Sequence, residues 1–396
     1  MQNQNSFGNV ASSCSSFERE RVQSEPWGLL SDKEQLAWLR LIRDRRWSAR
    51  QKRQLLTKVQ DAKTIYDMPV EQLTRLIAAK PKAITHVIKQ VDLDTDHRWL
   101  TRPGHDLITI YDSRYPTLLR EIYDPPIALF VKGNLSALQE PKVAMVGSRR
   151  PTPVGIQLTK TLSAGLTGLG VVVTSGMALG IDGAAHQAAL DANASTIAVM
   201  ACGLDQVYPA RHCAMFNQIA DQGCLISEYP LGVAPTRYRF PHRNRIVSGL
   251  CLGVVIIEAA QASGTLITAR LAMEQNRQVM VVPGSALSSQ YTGSHNLIQQ
   301  GAAMVTEVED ILHVLAIPLQ FALAKYRCDS TVANTQSSVQ CSDNTLVQFI
   351  QHDSTSLDEI IQASGLTSAE VSAMLLMLEL EGVVAATNDG GYCRMT

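Results

Sequence analysis

The chain has 396 residues, 45% of them apolar and 18% charged. That is enough for two or three domains with a sizeable core, and it excludes a chain that is disordered throughout. The 35 basic and 36 acidic residues leave a net charge of −1, but the balance is uneven. Residues 1–120 carry 20 Lys and Arg against 14 Asp and Glu, residues 121–340 carry 14 of each, and residues 341–396 carry Arg394 alone against eight acids. A neutral total therefore does not exclude a polyanion as partner. The eight cysteines stand singly, with no Cys-x-x-Cys. Neither a zinc ribbon nor a dithiol motif is expected, and a reducing cytoplasm fits better than a disulfide framework.

Residues 1–30 are polar and rich in Ser, Asn and Gln, and are expected to be flexible, with no secretory leader. The longest strongly apolar stretch, 250–257, is stopped by Glu258, far short of a membrane helix, which needs ~20 residues. Residues 31–105 read as short helices: Leu36, Leu39 and Ile42 recur at helical spacing, as do Leu55, Leu56 and Val59, then Leu73, Leu76 and Ile77. Within them Arg40, Arg43, Arg45, Arg46, Arg50, Lys52, Arg53 and Lys58 cluster with only Asp44 against them. This composition suits either a solvated helix face or a nucleic-acid contact.

A Pro-rich approach, 108–131, leads into a different pattern. Short Val- and Ile-rich runs at 143–146, 171–174, 196–200, 224–227, 254–257 and 279–282 alternate with helical stretches of 10–15 residues. This alternation predicts βαβ units and a buried parallel sheet within a domain spanning 106–316. Residues 317–342 read as a linker. In 343–396, three helical stretches (345–350, 357–363, 369–380) and a short hairpin predict a winged helix.

In an open parallel sheet, ligands bind beyond the carboxyl ends of the strands, where free N–H groups at helix starts favour anions. Four loops at that edge have suitable composition. Gly147-Ser148-Arg149-Arg150 follows the first strand, where glycine lets a phosphate approach, Ser148 can donate and Arg149 can grip two oxygens; it can equally form an ordinary turn. Ser175-Gly176 opens the second loop, which ends at Asp182; Asp182 and His186, four apart, share a helix face, as a catalytic acid–base pair, half a metal site, or a structural arrangement with His186 oriented by or near Asp182. The third, from Pro235 to Arg245, holds Arg237, Arg239, Arg243 and Arg245 with Tyr238, Phe240, His242 and Asn244, and no acid. Arginines for phosphates, interleaved with aromatic faces for bases, make a single-strand binding composition. Ser263-Gly264-Thr265 opens the fourth helix, and Arg211 lies beyond the third strand. Gly-x-Gly-x-x-Gly, a P-loop and Gly-x-Ser-x-Gly are all missing where they would be needed; no cofactor, metal site or enzyme activity is expected.

Taken in order, these pieces resemble the DNA-processing protein A family (DprA, also called Smf). The resemblance is carried by Val146-Gly147-Ser148-Arg149; Ser175-Gly176 to Asp182 with His186; Gly203-Leu204-Asp205 to Tyr208-Pro209; Ser227-Glu228-Tyr229-Pro230; Phe240-Pro241-His242-Arg243-Asn244-Arg245-Ile246; Glu258-Ala259-Ala260 with Ser263-Gly264-Thr265-Leu266; Pro283-Gly284; and Leu297-Ile298 with Gly301-Ala302. It implies an α/β fold: an extended Rossmann-like parallel sheet domain, flanked by a small helical SAM-like or helix-hairpin-helix module and a C-terminal winged helix. The implied function is that of a cytoplasmic homodimer that binds single-stranded DNA and loads the RecA recombinase during natural transformation, with other competence or single-strand-binding proteins as further partners. The resemblance places Arg149, Arg211, Arg237 and Arg243 at phosphate-binding positions, His295, Ile298 and Met304 at a dimer interface, and Met273 at a RecA contact. Leu179 stands where many members carry Arg, and Ala210 where many carry a base, which Arg211 can replace.

An alternative is a nucleotide-processing enzyme similar to the lysine-decarboxylase-like phosphoribohydrolases. Those carry a glutamate soon after Gly-Thr, where this chain has Leu266, Ile267 and Thr268. A regulator acting through the winged helix is a third reading. Residues 368–381 hold three glutamates and no Lys or Arg, so the C-terminal domain is expected to contact protein and not DNA.

Overall fold

The computed structural model describes residues 30–78 and 90–316 and, further on, 349–350, 355–364, 371, 375, 378, 384–386 and 391–394. The expected flexible segment up to residue 29, the linker 317–342 and most of the expected helices 345–350 and 369–380 lie outside these residues. The chain divides into two compact units, residues 1–326 and 327–396.

The first unit is built on a nine-stranded sheet: β1 (His105–Thr109), β2 (Ala128–Gly133), β3 (Lys142–Val146), β4 (Val172–Ser175), β5 (Thr196–Met200), β6 (Cys224–Ser227), β7 (Gly253–Ile256), β8 (Gln278–Val281) and β9 (Ala303–Met304). Its order is β1-β2-β6-β5-β4-β3-β7-β8-β9. From β6 to β9 every neighbouring pair is parallel, whereas β1 and β2 join antiparallel. The six apolar runs of the sequence are strands β3 to β8, each within one residue of its expected limits.

Both faces of the sheet are covered, which is why these strands read as continuous apolar runs. Ala144, Val146, Ile197 and Val199 pack on one side with Ile246, Leu250 and Ala269. Their alternates Val143, Met145 and Val173 pack on the other with Leu162 and Leu166 of the helix Pro153–Gly168. Also on that other side, Ala198, Met200 and Leu225 join Trp38, Leu39, Leu55 and Leu56 of the N-terminal helices, so module and sheet share one core.

Those helices run Asp32–Arg43, Ala49–Val59, Ala62–Asp67, Val70–Ile77 and Gln90–Leu100. Capping boxes start the first two, Ser31 with Glu34 and Ser48 with Gln51. The second unit has the expected helix, Leu357–Ser364, and a hairpin, β10 (Val384–Ala386) against β11 (Tyr392–Arg394). It has its own core of Ile350, Ile360, Val371, Leu375, Leu378 and Val384. No helix among the described residues is long and apolar enough to cross a membrane.

Candidate nucleic-acid interface

Because β3 to β8 run parallel, the loops that leave β3, β4, β5, β6 and β7 all emerge at one edge. Strand order reverses between β3 and β7, the point where sheets of this kind open a crevice. The loop after β3 is held from two sides. Ile181 N–H donates to Ser148 O at 3.1 Å, and Thr265 Oγ1 donates to Gly147 O at 3.1 Å. Close approach demands glycine here: a Cβ on Gly180, whose φ is +84°, would lie 2.3 Å from Ser148 O. This leaves Arg149 and Arg150 exposed at the rim.

The guanidinium of Arg149 lies over the Phe240 ring, 5.6 Å from its centroid. Tyr208 is 45% exposed, and its ring centroid lies 5.3 Å from that of Phe240 at 47°. Together they border a cavity of about 60 Å³ whose other walls include Gly176, Met177, Leu179, Met200, Cys202 and Pro235. Leu179 therefore supplies an apolar wall where a cation was missed in the sequence. Arg211 is exposed in the turn Ala210–His212, which rests on the β4 loop through His212 Nδ1, 3.1 Å from Met177 O. Arg237 and Tyr238 are exposed in the loop after β6. Arg239 lies over both Tyr229 and Tyr238 and donates to Ala234 O.

Four of the residues assigned to the interface from sequence face inward. Arg243 is only 4% exposed; its guanidinium donates to Gly176 O at 2.5 Å and to Val199 O, so it ties the β4 loop to the end of β5 instead of facing solvent. Burial lowers its pKa and raises that of nearby Asp182, outweighing their attraction on both sides. Arg245 is buried against Glu228, at 2.5 and 2.6 Å, and Asp124, at 3.3 Å. Ser175 is buried and donates to Met145 O at 2.6 Å, and Thr265 is spent on Gly147 O. Ser175 ends strand β4, Arg243 and Arg245 lie on the helix Arg239–Gly249 and Thr265 opens the helix Gly264–Glu274; the acceptors that turn them inward come from other parts of the chain and are not visible in a sequence. Asn244, half-buried, accepts from Arg243 Nε at 3.2 Å. Gly147, Ser148, Gly176, Ser263 and Gly264 remain at the accessible edge.

Asp182 and His186 do not form a pair. The Asp182 carboxylate accepts from Gly176 and Ala178 N–H at 3.1 and 3.2 Å. His186 is fully buried, with Nδ1 2.8 Å from Thr196 Oγ1; that hydroxyl already donates to Val173 O at 2.6 Å, so Nδ1 must carry the proton. Sequence reasoning missed Glu258 as an organiser. Fully buried after β7, it accepts from Thr152 N–H at 3.1 Å, from Thr152 Oγ1 at 2.5 Å and from the Tyr291 hydroxyl at 3.0 Å, at the start of the helix Pro153–Gly168.

Elsewhere, Met273 is exposed on the helix Gly264–Glu274. His295 is half-buried, stacked on Tyr291, with Nε2 3.0 Å from Gly284 O. Ile298 packs partly into the core, and Met304 is exposed on edge strand β9.

A mostly parallel α/β sheet with exposed arginines and neighbouring aromatic rings along its carboxyl margin has the composition of a surface for an anionic ligand. Residues 106–316 match the family model described as DNA recombination-mediator protein A, and residues 335–390 match the DprA winged helix domain. Protein Smf of Escherichia coli (strain K12) is 42% identical over 298 residues, 75% of this chain and 79% of that protein. DNA processing protein DprA of Streptococcus pneumoniae is 46% identical over 204 residues, 52% and 72%. The X-ray structure of the Streptococcus pneumoniae protein superposes with a TM-score of 0.62 at 34% identity, covering 70% of this chain and 97% of that one. The chain belongs to the DprA/Smf family.

Proposed function

We propose that the carboxyl edge of the sheet binds single-stranded DNA without sequence preference, and that the protein acts as a non-catalytic, cytoplasmic recombination mediator that passes the strand to RecA during natural transformation. The observation that carries this reading is the Arg149–Phe240–Tyr208 cluster at the exposed rim of the β3 loop. Guanidinium groups meet phosphates and exposed rings offer faces to any base, a combination that is strong but blind to sequence. Thiols at Cys202, Cys213, Cys224 and Cys251 are free, in keeping with a reducing compartment. A homodimer through the far end of the sheet is supported by β9, a sheet edge with exposed Met304.

The test is a salt-titrated comparison of single and double strands. Wild type should bind single strands of different sequence alike, with affinity falling steeply as salt rises. Arg149→Ala should weaken all of them together by about tenfold and reduce the salt slope by about 0.7. Unchanged affinity on Arg149→Ala and Arg237→Ala would remove the interface. Release of free base from a nucleoside monophosphate would instead support the phosphoribohydrolase-like alternative, which lacks its glutamate after Gly264-Thr265.

A further inference from the structure

Part of the basic run 40–58 is drawn into the protein, while Arg40, Arg45, Arg50 and Lys58 stay exposed. Lys52 is buried and donates to Ile42 O at 2.8 Å, and Arg46 pairs with Asp44 at 2.8 Å. Two of the remaining cations reach the basic loop of the sheet domain. Arg43 holds fully buried Asp96 through two bonds, at 2.5 and 2.8 Å. The pair then grips Leu231 by both of its backbone groups: Arg43 Nη2 donates to Leu231 O at 3.0 Å, and Leu231 N–H donates to Asp96 Oδ1 at 3.2 Å. Arg53 pairs with Asp124, whose other oxygen lies 3.3 Å from Arg245 Nε.

The segment between these two anchors is the one that carries Arg237, Tyr238, Arg239 and Phe240. It has further ties at its near end, where Asp205 accepts from Gly232 N–H at 3.0 Å and Val233 O accepts from Gly203 N–H at 2.9 Å. From Ala234 to Tyr238 the backbone ties among the described residues are limited to the turn bond of Arg239 N–H to Thr236 O, with the Arg239 side chain on Ala234 O, before the helix Arg239–Gly249 begins.

We propose that the N-terminal helical module is the brace that positions this loop for DNA, with Arg43 and Asp96 as positioning residues at one end and Arg53, acting through Asp124, at the other. The proposal rests on the single-strand reading of the edge above. A grip on backbone N–H and C=O fixes the loop's path whatever its side chains are, so the module contributes to binding without touching the strand.

The full-length chain tests this. Arg43→Met together with Asp96→Leu removes both charges at once, so neither is left buried alone. Backbone amide exchange across residues 229–240 should quicken at least tenfold, with β3 to β7 unchanged. Single-strand affinity should fall about tenfold with the salt slope unchanged, because no phosphate contact is lost. Arg53→Gln should loosen and weaken the same segment to a smaller degree, and serves if the double variant does not fold. Exchange that stays at the wild-type rate, or that quickens while affinity holds, overturns the brace. A wild-type protein that binds no single strand at low salt overturns the functional reading itself and the brace with it.

Discussion

Arg149 and Arg243 stand on the same edge yet do different work. Arg149 is free to pair with a phosphate, whereas Arg243 has its donors taken by Gly176 O and Val199 O. Arg243→Met should lower unfolding free energy by about 3 kcal/mol, since it strips a charged partner from buried acceptors. Single-strand affinity should drop without the change in salt slope that marks Arg149→Ala; denaturant titration beside salt-titrated binding separates the two. His186 offers a pH test. Burial holds its folded pKa at about 3 against the usual 6.5, with the nearby His212 and Arg243 charges adding to the effect. Between those values the unfolded chain binds a proton that the folded chain refuses, so stability present above pH 6.5 is lost as pH falls toward 3. His186→Leu should flatten that limb by up to about 1.4 kcal/mol per pH unit, read from unfolding midpoints across the window.

At the scale of elements, the loops work by close approach of backbones. Gly180→Ala forces a Cβ against Ser148 O at a positive φ, which should cost about 1–3 kcal/mol and displace the Arg149 loop. Gly168→Ala, at a helix end with open space around it, is the control and should leave both stability and binding in place. Strands β3 to β8 were legible because each is a Val- and Ile-rich run closed by Gly, Ser or Pro. β1 and β2 were not, because the Pro-rich segment between them hides a strand pair that joins the sheet edge-on and antiparallel. The rim was legible in outline: Arg149, Arg211, Arg237 and Phe240 follow from loop composition and topology. The inward turn of Ser175, Arg243, Arg245 and Thr265 was not, since their acceptors are carbonyls and carboxylates from other parts of the chain, up to 118 residues away for Thr265.

At the scale of the whole molecule, charge is spread unevenly along the chain. The C-terminal 341–396 carries one arginine against eight acids, a poor match for a polyanion. Its removal should leave single-strand affinity within about twofold, as a truncated chain compared by fluorescence anisotropy will show; a large loss without unfolding of the remainder would assign that unit to DNA after all. Glu258 sets the character of what remains. Its side chain takes up the N–H and hydroxyl of Thr152, at the start of the helix Pro153–Gly168, and the hydroxyl of Tyr291, so these three donors are spent inside the protein and a phosphate arriving at that helix start would find none of them on offer.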